Sequence, residues 1–345
     1  MSRVLITGGA GVLGAAVARR LLADPNYDVR VSDERSAPQW MREACEIRGA
    51  DLRAPAQAQA ALKGCSQVIH LASFRADDGA GAALAHTQIE YENALHNAVI
   101  RAALDCGVER FVYVSSPLVF ERAEVFPTPE DYLPQCPVAL SPGGFARLSG
   151  ERYCRAAHDE HDFPFTICRP FATYGPAPAS ASASASTSTS TSASTSTSAS
   201  EPGVSGAVAE VIDGALAGRH PLRVDAAGEQ TLSPTHVDDI AGGIVAALGS
   251  PAALYEDFNL ASSRALSVAE IAQLVWQACG EQAGELALEQ IGAGDRKPTR
   301  SQPATDKARE LLGWQAQIAF EDGVAATVRS LREQAMADRH IGSAL

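Results

Sequence analysis

Apolar residues fall along this chain in two alternating rhythms. Short runs with almost no polar interruption, Val4-Leu5-Ile6, Val68-Ile69-His70-Leu71-Ala72, Phe111-Val112-Tyr113-Val114 and Phe165-Thr166-Ile167-Cys168, predict strands buried on both faces. Asp28 to Asp33, Ile47 to Leu52, Leu222 to Val224 and Phe258 to Leu260 predict further strands. Between them the apolar positions recur with helical spacing over Ala15–Leu22, Ile89–Cys106, Gly206–Ala217, His236–Leu248 and Ser267–Cys279, and a last amphipathic helix follows Trp314. Several ends carry local signals. Gly107 suits a helix C-cap, Ser267 with Glu270 forms a capping box, and Asp238 and Asp239 favour a first helical turn. Strands alternating with helices predict the α/β class, a doubly wound parallel sheet followed by a smaller α/β lobe over the carboxyl edge of its strands.

The first strand runs straight into Thr7-Gly8-Gly9-Ala10-Gly11-Val12-Leu13-Gly14 and then a helix. A strand, a glycine-rich turn and a helix N-terminus aim backbone N–H groups and a positive dipole end at one point, which suits a pyrophosphate. The spacing is G-x-x-G-x-x-G rather than the commoner G-x-G-x-x-G, yet its place makes the sheet Rossmann-like. The second strand ends in Asp33, 19 residues beyond Gly14. A carboxylate there accepts hydrogen bonds from ribose hydroxyls and repels a 2′-phosphate, which favours NAD over NADP. Arg35, two residues on, pulls the other way.

Composition narrows the partners. Hydrophobic residues make up 46% of 345, enough for a substantial core, and the net charge of −13 argues against nucleic acid or an anionic membrane. No apolar run approaches the roughly 20 residues that span a bilayer. The first strand leaves no room for a signal peptide, so a cytoplasmic location is expected. Seven scattered cysteines without a C-x-x-C read as buried reduced thiols, and His158 and His161 lack a third ligand, so they read as exposed helix residues and no metal site is expected. Ala179 to Ser200 is almost purely Ala, Ser and Thr, which cannot repay its ordering entropy. The expected organisation is therefore a dinucleotide-binding domain over residues 1–176, a disordered insert over 177–203, and a mainly substrate-binding lobe over 204–345. Within that lobe, a segment near 235–260 is expected to pack back on the first domain.

Taken in order, these landmarks resemble the NAD-dependent epimerase/dehydratase family, the extended short-chain dehydrogenases typified by UDP-glucose 4-epimerase. They are the glycine turn, Asp33, Asp51-Leu52, His70-Leu71-Ala72, Val114-Ser115-Ser116, Arg169-Pro170-Phe171-Ala172-Thr173-Tyr174-Gly175-Pro176, His236-Val237-Asp238-Asp239, Phe258-Asn259-Leu260 and Leu312-Gly313-Trp314. The resemblance implies that Gly8, Gly11, Gly14 and the backbone of Val12 and Leu13 hold the pyrophosphate. It gives Asp33 the ribose, Asp51 and Leu52 the adenine, and Leu71, Ala72 and Arg75 the middle of the cofactor. Ser115 and Pro170 fall beside the nicotinamide, and Ser116 takes the catalytic place of the hydroxyl that bonds the reacting oxygen. Asn93 stands one place from a cofactor-proximal asparagine. A homodimer is the family's usual assembly.

The chemistry is where the resemblance breaks. The family's Tyr-x-x-x-Lys supplies a tyrosinate for proton transfer and an ammonium that lowers its pKa. In Ser141 to Arg152 the corresponding positions are Phe145 and Ser149, or, counted back from Glu151, Gly143 and Arg147. Phenylalanine has no ionisable proton, and an arginine is a poor proton carrier at neutral pH. The only lysines are Lys63, Lys297 and Lys307. Leu232 and Gly292 stand where two phosphate-clamping arginines are usual. The expected function is an NAD-dependent epimerase/dehydratase-type oxidoreductase of a sugar-like or other small hydroxylated substrate, with non-standard acid/base residues. The alternative is an impaired NAD(H)-binding relative that serves as a sensor or partner subunit.

Overall fold

The computed structural model describes residues 1–74, 84–176, 206–225, 230–280, 286–291 and 300–342. Six strands arise from the apolar runs: β1 (Ser2–Thr7), β2 (Tyr27–Ser32), β3 (Glu46–Arg48), β4 (Gln67–His70), β5 (Arg110–Val114) and β6 (Phe165–Pro170). With Asp257–Leu260 they form one seven-stranded sheet, in the order Asp257–Leu260, β6, β5, β4, β1, β2, β3. Every neighbouring pair is parallel.

The apolar runs feed two cores because successive side chains point to opposite faces. Val4, Ile6, Ile69, Val112 and Val114 face one layer, with α1 (Val12–Leu22) and the helix Val237–Gly249. Leu5, Val68, Phe111, Tyr113 and Ile167 face the other, under α3 (Pro55–Leu62), α4 (Ala85–Cys106) and α5 (Pro142–His161). The short α2 (Gln39–Ala44) lies between β2 and β3. Both layers are apolar, so no strand needed a polar face.

Gly107 does cap α4, at φ 63°. Ser267 and Glu270 form the reciprocal capping box at Val268–Ala278. The third strand is shorter than its sequence suggests. It stops at Arg48, and Asp51 folds a turn in which its carboxylate accepts the Arg53 N–H at 3.0 Å and its carbonyl the Ala54 N–H at 3.1 Å. His158 is half-buried rather than exposed, its ring 4.1 Å from that of Tyr255.

A third core joins Val208, Ile212, Leu222, Leu232, Val268, Val275, Val324 and Leu331, so the arginine-replacing Leu232 is a packing residue. The start of Val237–Gly249 anchors the chain that follows Leu312. Asp239 accepts N–H bonds from Gln317 and Ile318 at 3.0 and 2.8 Å, and Trp314 Nε1 donates to its carbonyl at 3.1 Å. Arg75, the Ala/Ser/Thr insert (177–203) and Gly292 lie outside the described residues. Among the described residues no helix is long and apolar enough to cross a membrane, and no three His, Cys, Asp or Glu residues could hold a metal ion. All seven cysteines are free thiols.

Candidate cofactor cleft and active site

The strand order reverses between β1 and β4, and a cleft of about 450 Å³ opens there beyond their carboxyl ends. Gly8, Gly11, Leu13 and Gly14 line its floor, Ser32 to Arg35 one wall, and Ala50 and Leu52 the far end. Leu71 to Phe74 and Tyr91 with Leu95 make the other wall. Two glycines are required by geometry. Gly8 sits at φ +70°, and a Cβ there would come within 2.8 Å of the Ala72 backbone. A Cβ on Gly14 would lie 2.5 Å from the Gly8 carbonyl oxygen. Gly11, at the N-cap of α1, has no side chain to bond the first turn, and the positive end of the helix dipole lies at the cleft.

Thr7 ties the two strand ends together. Its Oγ1 accepts the Leu71 and Ala72 N–H groups at 3.2 and 3.1 Å, which sends its own hydrogen to His70 Nδ1, 2.7 Å away. The remaining protons then follow in order. His70 Nε2–H donates to His96 Nδ1 at 3.0 Å, and His96 Nε2 lies 3.1 Å from both the Tyr113 hydroxyl, its hydrogen-bond partner, and the Glu92 carboxylate. Burial pushes both imidazoles below their ordinary pKa, so both are neutral donors and acceptors. Burial alone would raise the Glu92 carboxyl, but the Arg147 charge and the His96 bond outweigh it and hold it low. Glu92 also accepts the Phe74 N–H at 3.0 Å and pairs with Arg147 at 3.5 Å. Sequence reasoning missed this network. Its signal was two polar residues, Glu92 and His96, on the apolar side of a helix beside Leu95 and Val99.

The sequence-predicted residues divide into three groups. Gly8, Gly11, Leu13, Gly14, Asp33, Leu52, Leu71 and Ala72 come together in the cleft, and Val12 opens α1 between two of them. Asp51 is half-exposed outside the lining, in a bidentate pair with Arg53 at 2.8 Å from both nitrogens. Ser115, Ser116 and Pro170 follow from the ends of β5 and β6 and also lie outside the lining. The Ser115 hydroxyl is turned into the protein, 2.6 Å from Glu151, which holds Arg169 by two bonds of 2.8 and 2.7 Å. Ser116 caps the turn Pro117–Phe120 by accepting the Leu118 N–H at 3.2 Å. Its own hydrogen is left to donate. Ser73 and Phe74, expected from the sequence at the carboxyl edge beyond the predicted strand that ends at Ala72, do line the cleft, whereas Ser32, Glu34, Ala50, Tyr91 and Leu95 were not singled out and arrive by folding.

On α5 the missing pair has a definite geometry. Ser141 caps the helix by accepting the Gly144 N–H. Phe145 is 43% exposed, whereas Arg147 is buried and bonds the Val114 carbonyl and Glu92. Glu151 faces Ser115 and Arg169. Of the Glu151-aligned register, Arg147 is therefore turned inward to Glu92 on α4, while Gly143 is half-buried beside Gln88 and Leu118. Tyr113, the nearest buried phenol to Arg147, is pushed far above its ordinary pKa by burial and supplies no tyrosinate.

A sheet with its cleft at the switch point, a glycine turn leading into a helix N-terminus and an acid following the second strand define a dinucleotide-binding fold. Residues 4–261 match the NAD dependent epimerase/dehydratase family, and the chain belongs to it. A UDP-glucose 4-epimerase of Mycolicibacterium smegmatis is 27% identical over 96% of this chain and 99% of its own. A UDP-glucuronic acid decarboxylase of Xenopus tropicalis is 25% identical over 96% of this chain and 72% of its own. In fold, the chain resembles the UDP-glucose 4-epimerase of Thermotoga maritima, with a TM-score of 0.78, 23% identity, and coverage of 96% and 99%. The family's cofactor is NAD, and the residues present fit it. The glycine turn packs too closely on the Ala72 and Gly9 backbone for side chains and lines the cleft, the N-terminus of α1 would face a pyrophosphate there, and Asp33 stands on the cleft wall where a ribose would lie.

Proposed function

We propose that this chain is an NAD-dependent epimerase/dehydratase-type oxidoreductase acting on a nucleotide-sugar or similar hydroxylated substrate, with acid/base residues other than Tyr-x-x-x-Lys. The intact cleft carries this reading: Gly8, Gly11, Leu13, Gly14 and Asp33 line one cavity with Leu71 and Ala72. Bound NAD would supply a hydride acceptor. Ser116 would donate its hydroxyl hydrogen to the reacting oxygen, with the Leu118 N–H on one lone pair fixing the hydroxyl's position. The Mycolicibacterium and Xenopus relatives are both named for UDP-linked sugars, which makes these the first substrates to try.

One observation favours a second reading, an NAD(H)-binding relative without turnover. Arg147 is neutralised by Glu92 inside the protein, and neither Gly143 nor Phe145 can carry a proton. Denaturing extraction of purified protein, followed by a single-turnover assay with UDP-glucose and UDP-glucuronic acid, separates the two. NADH absorbance or an epimerised product supports the enzyme. Retained NAD without either supports the second reading, and no nucleotide affinity at all defeats both.

A further inference from the structure

Asp33 is fully coordinated by the protein itself. Its Oδ1 accepts the Arg35 backbone N–H at 2.9 Å and Arg35 Nε at 3.0 Å. Its Oδ2 accepts the Ala10 N–H at 2.9 Å and Arg35 Nη2 at 2.9 Å. A carboxylate offers about four lone-pair positions, and all of them are taken here. Two of the four donors are the fork of a single guanidinium, and both Asp33 and Arg35 line the cofactor cleft.

We infer that Arg35 is a cofactor-selectivity residue that occupies the Asp33 acceptor positions a ribose diol would use, so that NAD binds in competition with it. The argument rests on the reading of the cleft as a dinucleotide site. The two backbone donors, Ala10 and Arg35 N–H, are fixed by the turns that carry them. The guanidinium supplies the other two, from a side chain 32% exposed against 8% for Asp33. A ribose whose two hydroxyls approach the carboxylate must take those two places and displace the guanidinium from it.

The same displacement has the opposite consequence for NADP. A phosphate on that ribose meets Asp33 and Glu34, which repel it, and Arg35, which bonds it. Whatever affinity the cleft has for NADP therefore runs through Arg35. The residue weakens NAD and supports NADP, and so narrows a preference that Asp33 alone would make steep.

The cost to NAD is modest because the pair is partly exposed, and exposed pairs contribute up to about 1 kcal/mol. Calorimetric titration of NAD and NADP into the full-length wild type, Arg35→Gln and Arg35→Ala tests this. In both variants NAD should bind about 2- to 5-fold tighter, while NADP should not tighten. Unchanged or weakened NAD affinity overturns the inference, because the guanidinium would then not be a competitor. Equal tightening of NAD and NADP also overturns it, because the arginine would only crowd the cleft. A wild type that binds neither dinucleotide removes the cleft reading and this inference with it, and is distinguished from the other outcomes by the wild-type titration alone.

Discussion

Arg147 and Glu92 form a buried ion pair, Nη2 to Oε1 3.5 Å, with the two side chains only 4% and 3% exposed. The pair joins α5 to α4 beneath the cleft wall, because Glu92 also holds the Phe74 N–H. A cation at this place would ordinarily serve a neighbouring acid/base group. Here its charge is spent inside the protein, and Glu92 stands 3.1 Å from His96, where the Thr7–His70–His96 hydrogen-bond chain ends.

Removing one partner of such a pair leaves an uncompensated buried charge. Arg147→Met should therefore destabilise the protein by about 3–5 kcal/mol. The double variant Glu92→Gln with Arg147→Met should recover most of that loss, since no unpaired charge is then left buried and the amide oxygen still accepts the Phe74 N–H. Denaturant unfolding of the two variants beside the wild type checks this. Equal losses in the single and double variants would show that packing, not charge, sets the effect.

The cofactor end makes a sharper contrast. Asp33→Ala removes the carboxylate that would hold the ribose and should weaken NAD binding at least tenfold, since charge-assisted hydrogen bonds are worth about 1.5–3 kcal/mol. Phe145→Ala trims a side chain that is 43% exposed on α5 and should leave NAD affinity unchanged. Calorimetric titration of both variants checks the pair, and an unaltered affinity in the Asp33 variant defeats the cleft geometry.

The parts legible in the sequence were those fixed locally. Runs such as Val4-Leu5-Ile6 need no partner to declare a strand buried on both sides, and Gly107 and the Ser267–Glu270 box mark helix ends through contacts within a few residues. The third strand failed because the Asp51 side chain competes for the backbone of Arg53 and turns the chain early. The site was legible only where it followed a motif. Glu92, His96 and Arg147 lie up to 55 residues apart, and nothing in their spacing declares that they meet. Ser115 shows the reverse case: its place after β5 suggests a cleft role, while its hydroxyl is committed to Glu151.

Restoring the family pair tests the acid/base proposal directly. A Cβ on Gly143 would lie 3.3 Å from Gln88 Nε2 and 3.4 Å from Leu118 Cδ1, both at the ends of adaptable side chains. Gly143→Tyr with Arg147→Lys should fold, and should reduce bound NAD with a nucleotide sugar at least about 100-fold faster than the wild type, the usual worth of a positioned proton carrier. Single-turnover NADH absorbance reads the rate. A double variant slower than the wild type would mean that this chain already has a proton carrier which the tyrosine displaces.

Asp257 sets the acid limit of the fold. It lies on the edge strand, and its carboxylate meets Arg169 at 2.7 Å, with Arg155 and Lys307 each at 3.0 Å. Burial raises its pKa, but Arg169 and Lys307 outweigh burial and bring it from 3.8 down to about 2. A carboxyl whose folded pKa is depressed contributes stability that is complete above its unfolded value and is lost as the pH falls to the folded one. The contribution is about 2 kcal/mol, lost between about pH 4 and pH 2. Asp257→Asn should therefore be less stable than the wild type at neutral pH, and the gap should close across that window. Denaturant unfolding at neutral pH, near pH 4 and near pH 2.5 reads the difference. A gap that stays constant with pH would mean that Asp257 holds the edge strand by shape and hydrogen bonding rather than by charge.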